Sequence, residues 1–463
     1  MAMARGGWFW RVRGVRDGVT GNRPSATWWF WISEGSSSQR ATVASSIADV
    51  NGDGLADLVV RSTRSTTTDG GIVSEIAVDI HLGRRGGPAQ DADQRIAVAG
   101  SALRNVAVAD VDGDGTSDIL IGDPEFNRGA GRVVVHGGGA IPLGQLASIA
   151  APDTSPRSFG TVVDAVGDLD GDGRPEIVVQ SPGAMLAGAT QSVHVFGGDR
   201  VTAGGAPTRT LVGTDADRFA NVLGCDVNGD GRQDLIVAPV VALTAPSRRI
   251  EVWLGGERGL AAAPAQTVTD SAAFNSNFLA VCVGDRDGDG FNELAVADVA
   301  SGNGRVLGYA GAPRGVLEPG VTLVEGAQSA APDGYRVLAA PSADATGDGL
   351  ADLVATWIGP APNTAPPTRL LEAPALRLTD GFEFAGVAAG RAFEAAVVRT
   401  ARGVGDVDGD GMLDYCFVRH DAGASFGGDL GVSLRFGSAS GVDALRTWRV
   451  TATTRAYSYC AGM

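Results

Sequence analysis

The stretch Asp49-Val50-Asn51-Gly52-Asp53-Gly54-Leu55-Ala56-Asp57 carries side-chain oxygens at its positions 1, 3, 5 and 9. The same pattern returns six times, with steps of 58 to 62 residues between successive first aspartates. Self-similarity at a fixed period is the sequence signature of a repeat architecture. Seven repeats therefore fill nearly the whole chain. Their acidic loops, numbered 1 to 7, are residues 49–57, 110–118, 168–176, 226–234, 285–293, 344–352 and 406–414.

Short apolar runs flank each acidic loop, for example residues 46–48 before loop 1 and 58–60 after it. They are too short for helices and rich in β-branched residues, so we interpret them as strands. A third apolar run ends in Gly at 76–83, 132–137, 192–197, 250–255, 305–311 and 432–437, and a shorter fourth run follows, as at 95–99 and 210–212. Four strands per repeat predict an all-β fold, a seven-bladed β-propeller of four-stranded antiparallel blades with a Ca²⁺-binding loop in each.

The propeller is expected to cover residues 44–455, between an N-terminal segment (1–43) and a C-terminal tail (456–463). Two segments compete for the fourth strand of the last blade and would complete the ring. One is residues 28–32, which lie about as far ahead of loop 1 as other fourth strands lie ahead of their loops, and the other is 447–451. The sequence does not choose between them.

The formal charge of −16 argues against a nucleic-acid partner, because phosphates would be repelled. No run of 18 apolar residues is present, so no transmembrane segment is expected. The first 22 residues have the positive charge of a signal peptide in Arg5, Arg11 and Arg13 but lack its apolar stretch, so no signal peptide is recognisable.

Four cysteines in a chain of this length do not make a disulfide framework, and we interpret them as small buried hydrophobic residues. Cys225 and Cys282 occupy comparable strands of neighbouring repeats, just ahead of loops 4 and 5. A Cys416–Cys460 disulfide near the C-terminus is an alternative that the sequence leaves open.

The acidic loops predict a site for a hard cation. Side-chain oxygens at positions 1, 3, 5 and 9 and a backbone carbonyl at position 7 suit Ca²⁺, which takes about six to eight oxygen ligands, better than the strictly octahedral Mg²⁺. Gly occupies positions 4 and 6 in all seven loops, where the backbone must wrap tightly. The predicted ligands are Asp49, Asn51, Asp53, Leu55 and Asp57; Asp110, Asp112, Asp114, Thr116 and Asp118; Asp168, Asp170, Asp172, Arg174 and Glu176; Asp226, Asn228, Asp230, Arg232 and Asp234; Asp285, Asp287, Asp289, Phe291 and Glu293; Asp344, Thr346, Asp348, Leu350 and Asp352; and Asp406, Asp408, Asp410, Met412 and Asp414.

The loops are not EF-hands, which need Glu at position 12 and flanking helices, because position 12 is apolar in every repeat. Loop 6 departs most from the pattern, since Thr346 replaces the Asp or Asn of position 3. Seven bound Ca²⁺ ions would cancel most of the formal charge of −16. Sites of the weak extracellular kind would stay empty in the cytosol. The expected location is therefore extracellular or at the cell surface, or else the periplasm.

The chain resembles the FG-GAP (VCBS) repeat proteins, the family that includes the integrin α-subunit propeller. Repeat 3 carries the resemblance best, with Phe159-Gly160 ahead of its acidic loop and Ser181-Pro182 where the family has Gly-Ala-Pro. The resemblance covers about residues 44 to 455 and implies a seven-bladed propeller with calcium between the first and second strands of each blade. It also implies adhesion or recognition. In integrins only some blades carry the calcium loop, whereas here all seven repeats have it.

The expected function is that of a calcium-stabilised binding, adhesion or scaffold propeller with a protein or glycan ligand. The ligand is placed on the face opposite the calcium loops, on the connections between second and third strands: 62–74, 123–131, 181–191, 239–248, 298–304, 359–367 and 420–430. The alternative is a carbohydrate-active enzyme, a polysaccharide lyase or hydrolase, built on the propeller. No catalytic residues are predicted, because the chain has four histidines, no lysine and no nucleophile motif.

Overall fold

A computed structural model describes most of the first five repeats and parts of the remaining chain. The described residues are 6–10, 13–16, 19–24, 28–32, 48–68, 71–98, 106–152, 158–181, 191–213, 217–241, 249–269, 278–298, 305–325, 336–341, 353–358, 369–371, 382–383, 398–420, 430–438, 441–450 and 456–461. Within these ranges no helix has the length and apolar character to cross a membrane.

The regular elements are almost all short β-strands, as the apolar runs predict. In chain order the strands are β1 (Gly6–Trp10), β2 (Arg13–Arg16), β3 (Val19–Pro24), β4 (Trp28–Ile32), β5 (Leu58–Thr68), β6 (Gly71–His81), β7 (Gln94–Val98), β8 (Val106–Ala109), β9 (Asp118–Asp123), β10 (Arg132–His136), β11 (Gln145–Ala150), β12 (Val162–Gly167), β13 (Glu176–Ser181), β14 (Ser192–Phe196), β15 (Arg209–Val212), β16 (Asp217–Cys225), β17 (Asp234–Val241), β18 (Ile250–Trp253), β19 (Gln266–Val268), β20 (Phe278–Gly284), β21 (Glu293–Asp298), β22 (Arg305–Tyr309), β23 (Gly311–Ala312), β24 (Gly315–Val316), β25 (Val321–Glu325), β26 (Arg336–Pro341), β27 (Leu353–Ile358), β28 (Arg369–Leu371), β29 (Phe382–Glu383), β30 (Val398–Gly405), β31 (Asp414–His420), β32 (Leu430–Ser438), β33 (Gly441–Val450) and β34 (Ala456–Ala461). Two short helices, α1 (Phe126–Gly129) and α2 (Gly198–Ala203), lie in connections.

Most of the described strands form four-stranded antiparallel sheets, which confirms the predicted all-β class, and β1-β4, β2-β3 and β23-β24 form separate pairs. Sheet 1 has the order β34-β5-β6-β7, sheet 2 is β8 to β11, sheet 3 is β12 to β15, sheet 4 is β16 to β19, sheet 5 is β20-β21-β22-β25, sheet 6 is β26 to β29 and sheet 7 is β30 to β33. From sheet 2 onward each sheet follows chain order from its first strand. Acidic loops 2, 3, 4, 5 and 7 join the first strand of a sheet to its second strand, and loop 1 precedes β5, the second strand of sheet 1.

The ends of the chain differ from the expectation. β33, which contains residues 447–450, is the fourth strand of sheet 7, so the C-terminal candidate for this strand is the one observed. β4, the competing candidate, pairs with β1 instead. The segment 456–463, expected to be a tail, supplies β34, which pairs with β5 in sheet 1. Ala48, expected in a strand ahead of loop 1, is in none, while residues 46 and 47 lie outside the described residues.

The first strand of each sheet contacts the first strand of the next. β8 contacts β12, and the series continues through β16, β20, β26, β30 and β34. β34 in turn contacts β8, so the series returns to its starting point.

Sheets 1 to 4 are buried on both faces, because alternate residues of one strand pack against opposite neighbouring sheets. On β9, Ile119 and Ile121 pack with Val78 of sheet 1, while Leu120 packs with Val163 of sheet 3. The apolar runs are nearly continuous because neither face of these strands meets water.

Disulfides also connect neighbouring sheets. Cys225 at the end of β16 bonds to Cys282 on β20, with their Cα atoms 5.4 Å apart. Cys416 is also disulfide-bonded. Cys225, Cys282 and Cys416 are buried, as predicted, but they are disulfide-bonded, so their interpretation as simple hydrophobic residues was wrong. Cysteine spacing does not reveal pairing, which depends on two strands of different repeats coming together.

Candidate metal centre

The first aspartate of each described loop organises its backbone. In loop 2, Asp110 Oδ1 accepts the N–H groups of Gly113 at 2.7 Å and Asp114 at 3.0 Å, and Oδ2 accepts that of Gly115 at 2.9 Å. Asp112 Oδ1 accepts from Asp114 N, and Asp114 Oδ1 from Thr116 N. Loops 1, 3, 4, 5 and 7 have the same arrangement, with small differences in which bonds form, while loop 6 lies outside the described residues.

Glycine is required at two positions of this wrap. Gly113 has φ 75° and Gly115 has φ 95°, a region that L-residues with side chains rarely adopt. The space around Gly54, the corresponding position 6 of loop 1, is open, so the backbone angle alone selects glycine there. These two turns wrap the loop backbone around the Asp110 carboxylate.

The ninth residue ties the loop to a distant turn. Asp118 Oδ2 accepts Val111 N, and its Oδ1 accepts the N–H of Gly138, which follows the third strand, each at 2.9 Å. The Asp118 side chain is fully buried. Asp57, Asp234 and Asp414 make the same pair of bonds to their own loops and to Gly83, Gly255 and Gly437.

Glu replaces Asp at the ninth position of loops 3 and 5, and in both one oxygen lacks a hydrogen bond. Glu176 Oε2 accepts Leu169 N, whereas its buried Oε1 has no hydrogen-bond partner. Glu293 has the same arrangement, with Oε2 accepting Arg286 N and Oε1 unpaired. A buried, unpaired carboxylate oxygen beside other carboxylates fits a site that a cation completes.

Carboxylates converge in four of the described loops. One oxygen from each of three residues lies within 4.8 Å of the others in these groups: Asp110, Asp112 and Asp118; Asp168, Asp170 and Glu176; Asp285, Asp287 and Asp289; and Asp406, Asp408 and Asp414. Loops 1 and 4 have an amide oxygen at position 3 instead, from Asn51 and Asn228. The carboxylates that converge in loops 2, 3, 5 and 7 could therefore hold a hard divalent cation.

The clustered carboxylates titrate abnormally. Burial raises the pKa of Asp57, Asp118 and Asp234 to about 7, and neighbouring carboxylates add to the rise. Burial also raises the pKa of Glu176 to about 9. A bound cation opposes both causes, because it stabilises the ionised form.

These shifts predict a pH dependence in metal-free protein. An acid whose pKa is raised in the folded state stabilises that state below the unfolded pKa, near 4, and this contribution is lost as pH rises through about 7. In EDTA the melting temperature should fall between pH 5 and pH 8. In saturating Ca²⁺ the fall should be abolished, since the metal competes with protons for the same oxygens. Metal-free protein that is more stable at pH 8 would contradict the assignment.

Sequence reasoning missed the turn glycines that hold the ninth residue. The signal was present, because the third apolar run of six repeats ends in Gly. A side chain on Gly83 would meet Ala56 O, and one on Gly255 would meet Gln233 O, each far inside contact distance. The backbone after the third strand therefore packs directly against the backbone at position 8 of the acidic loop.

The connections proposed for ligand binding are mostly outside the described residues. Residues 123–131 of sheet 2 are described, and they contain α1 with non-glycine residues Asn127 and Arg128 at positive φ. Phe126 is 43% exposed, and the Arg132 guanidinium carbon lies 3.9 Å from the centre of its ring. Arg132 also pairs with Asp123 at 3.0 Å.

The Phe-Gly pair ahead of loop 3 packs on the preceding repeat. Phe159 is buried and bridges to Gly131, and a side chain on Gly122 would collide with Gly160 O. Gly122-Asp123-Pro124 occupies in repeat 2 the place that Ser181-Pro182 has in repeat 3, so this segment and the Phe159-Gly160 pair meet at the boundary between sheets 2 and 3.

Solved structures with related architecture include the periplasmic gluconolactonase PpgL of Pseudomonas aeruginosa, with a TM-score of 0.48, 15% identity, and coverage of 88% of this chain and 99% of that one. The exotype rhamnogalacturonan lyase YesX has a TM-score of 0.38, 12% identity, and coverage of 84% and 78%. These low scores carry no argument about activity.

A family model described as an FG-GAP-like repeat matches residues 49–121, 168–237 and 226–296. Integrin alpha-IIb of Mus musculus is 29% identical over 224 residues, covering 45% of this chain and 21% of that protein. Integrin alpha-V of Gallus gallus is 30% identical over 210 residues, covering 41% and 19%. The chain thus matches about a fifth of the length of these relatives. Parts of the chain are thus similar to FG-GAP-like repeats, and over less than half of its length its sequence is similar to that of integrin α subunits.

Proposed function

We propose that this chain is a seven-bladed, calcium-stabilised β-propeller that binds a protein or glycan ligand outside the cytoplasm. Support for the propeller comes from the described four-stranded sheets and from the closed series of contacts among their first strands. β34 would close the ring, since it pairs with β5 of sheet 1 and contacts β30 of sheet 7. A closed ring removes open sheet edges from the centre.

Calcium is proposed at each of the seven acidic loops, through side chains at positions 1, 3, 5 and 9 and the carbonyl at position 7. The observation that carries this proposal is the convergence of three carboxylates in each of four loops, with the buried Glu176 Oε1 lacking a hydrogen bond in loop 3. Without a cation, burial raises the pKa values of the ninth residues, and the neighbouring carboxylates add to the rise. The sites would stabilise the fold rather than perform chemistry.

A location outside the cytoplasm is supported by two features. The Cys225–Cys282 disulfide is of a kind that persists in oxidising compartments. Calcium sites of extracellular modules bind at about 10⁻⁴ to 10⁻³ M, so they fill where calcium is abundant.

The ligand is proposed to bind the face opposite the metal loops. Successive antiparallel strands place the connection after the second strand at the end of the sheet away from the acidic loop. In sheet 2 that connection exposes Phe126 beneath the Arg132 guanidinium. Aromatic and arginine side chains often carry much of the binding energy of interfaces. The similarity to integrin α subunits favours a protein ligand.

Binding can be tested with immobilised polysaccharides and secreted proteins, probed in calcium. For a ligand that retains the protein, Phe126→Ala should weaken retention by about tenfold, within the range of interface hot spots. Leu146→Ala is the matched control, because Leu146 is equally exposed, at 43%, but lies on the fourth strand of the same sheet. Equal losses in both variants would contradict the proposed face. Release of unsaturated or reducing sugars would instead favour a carbohydrate-active enzyme.

A further inference from the structure

Neighbouring acidic loops touch in a regular way. The side chain at position 7 of one loop lies on the position 4 glycine of the preceding loop. A Cβ built on Gly113 of loop 2 would lie 3.3 Å from Arg174 Nε and 3.7 Å from its Cζ. The other described pairs are Thr116 on Gly52, Arg232 on Gly171, Phe291 on Gly229 and Leu55 on Gly409.

Backbone hydrogen bonds fix the same neighbours. The N–H of position 8 donates to the position 1 carbonyl of the preceding loop, as from Ser117 to Asp49 at 2.8 Å and from Gln233 to Asp168 at 2.8 Å. Pro175 occupies position 8 of loop 3 and has no N–H to donate to loop 2. At that boundary the Arg174 side chain contacts loop 2 without this backbone hydrogen bond beside it.

The position 7 side chains that contact the preceding loop differ in charge. Arg174 and Arg232 bring guanidinium groups to loops 2 and 3, whereas Thr116, Phe291 and Leu55 bring neutral side chains to loops 1, 4 and 7. Gly113 stands between Asp112 and Asp114, two proposed metal ligands, so the Arg174 charge lies beside them. The charge of Arg232 does not act on loop 3 alone, because Arg232 Nη1 also lies 4.0 Å from Asp230 Oδ2 of its own loop.

We propose that Arg174 acts across the boundary between sheets as a fixed counter-cation for loop 2, so that it lowers the calcium affinity of loop 2 rather than that of loop 3, to which it belongs. This inference rests on the proposed calcium sites. A fixed positive charge beside the ligands repels an incoming divalent cation and stabilises the metal-free carboxylates. The residue at position 7 of each acidic loop would then set the calcium affinity of the preceding loop.

The test must measure the calcium occupancy of loop 2 and of loop 3 separately. Gly115 N donates to Asp110 Oδ2 and Gly173 N to Asp168 Oδ2, so these two amides report calcium occupancy of loops 2 and 3 in ¹⁵N-glycine NMR titrations. Arg174→Gln should lower the calcium concentration at the Gly115 midpoint by roughly three- to tenfold, from the Coulomb energy of a surface charge near a divalent ion. The Gly173 midpoint should move by less than about twofold.

Two variants and a change of salt concentration separate electrostatics from packing. One variant keeps the charge at position 174, and the other adds a charge at position 291. Arg174→Lys should keep the wild-type Gly115 midpoint, and the effect of Arg174→Gln should shrink at about 1 M salt, where charges are screened. Phe291→Arg should weaken calcium binding to loop 4, reported by Gly231, whose N–H donates to Asp226. A salt-independent effect would indicate packing and overturn the proposal.

The outcomes are distinct. If calcium shifts the Gly115 amide in wild-type protein but Arg174→Gln leaves its midpoint unchanged, or moves the Gly173 midpoint equally, only the cross-boundary role is overturned. If calcium shifts neither amide in wild-type protein, the calcium sites themselves are overturned, and this inference with them.

Discussion

EDTA should lower the melting temperature of this protein by about 10 °C, and added Ca²⁺ but not Mg²⁺ should restore it. At a calcium concentration about tenfold above Kd, each site contributes about 1.4 kcal/mol, so seven sites contribute about 10 kcal/mol. The unfolding entropy of about 2.1 cal/mol/K per residue gives about 1 kcal/mol/K for 463 residues, which converts that energy to about 10 °C.

Thermal scans in EDTA, in EDTA with excess Ca²⁺ and in EDTA with excess Mg²⁺ check this expectation. The scans need one pH, because metal-free protein is itself expected to be pH-dependent. Equal restoration by Mg²⁺ would contradict the selectivity. An unchanged curve would mean that the loops are metal-free acidic turns, and the proposed location and function would lose their main support.

Asp414→Ala should destabilise the protein by about 2 to 6 kcal/mol even without metal. The Asp414 carboxylate is fully buried and accepts the N–H groups of Val407 and Gly437, each at 2.8 Å. Removing it leaves two buried donors unpaired, at about 1 to 3 kcal/mol each. Urea unfolding in EDTA measures this loss directly.

Asp410→Ala is the matched control within the same loop. Asp410 is exposed and accepts the N–H of Met412, so its loss in EDTA should cost about 1 kcal/mol or less. In calcium, both variants should lose the contribution of the loop 7 site. If Asp414→Ala matched Asp410→Ala in EDTA, the ninth residue would be a metal ligand without the structural role assigned to it.

The repeat could be predicted from sequence because its determinants are local. Glycines at positions 4 and 6 and acidic residues between short apolar runs specify a turn between strands wherever they occur, and the structure has such turns in six loops. The four-stranded sheets followed from the spacing of the apolar runs. The cation itself, and loop 6, stay predictions.

The features that sequence reasoning missed depend on distant partners. The Asp118 bond to Gly138 joins separate parts of one repeat, and the Cys225–Cys282 disulfide joins two repeats. β34 follows the last acidic loop and belongs to no recognisable repeat, so residues 456–461 were assigned to a tail. The pairing of β34 with β5 in sheet 1 is evident only from the structure.

This pairing sets a condition on biosynthesis. Val60 pairs with Cys460, about 400 residues later in the chain. At a synthesis rate of about 5 to 20 residues per second, β5 is made roughly 20 to 80 s before its partner strand β34. During that interval its unpaired edge can recruit other chains. A product that ends before residue 456 lacks β34, so that edge of β5 stays unpaired.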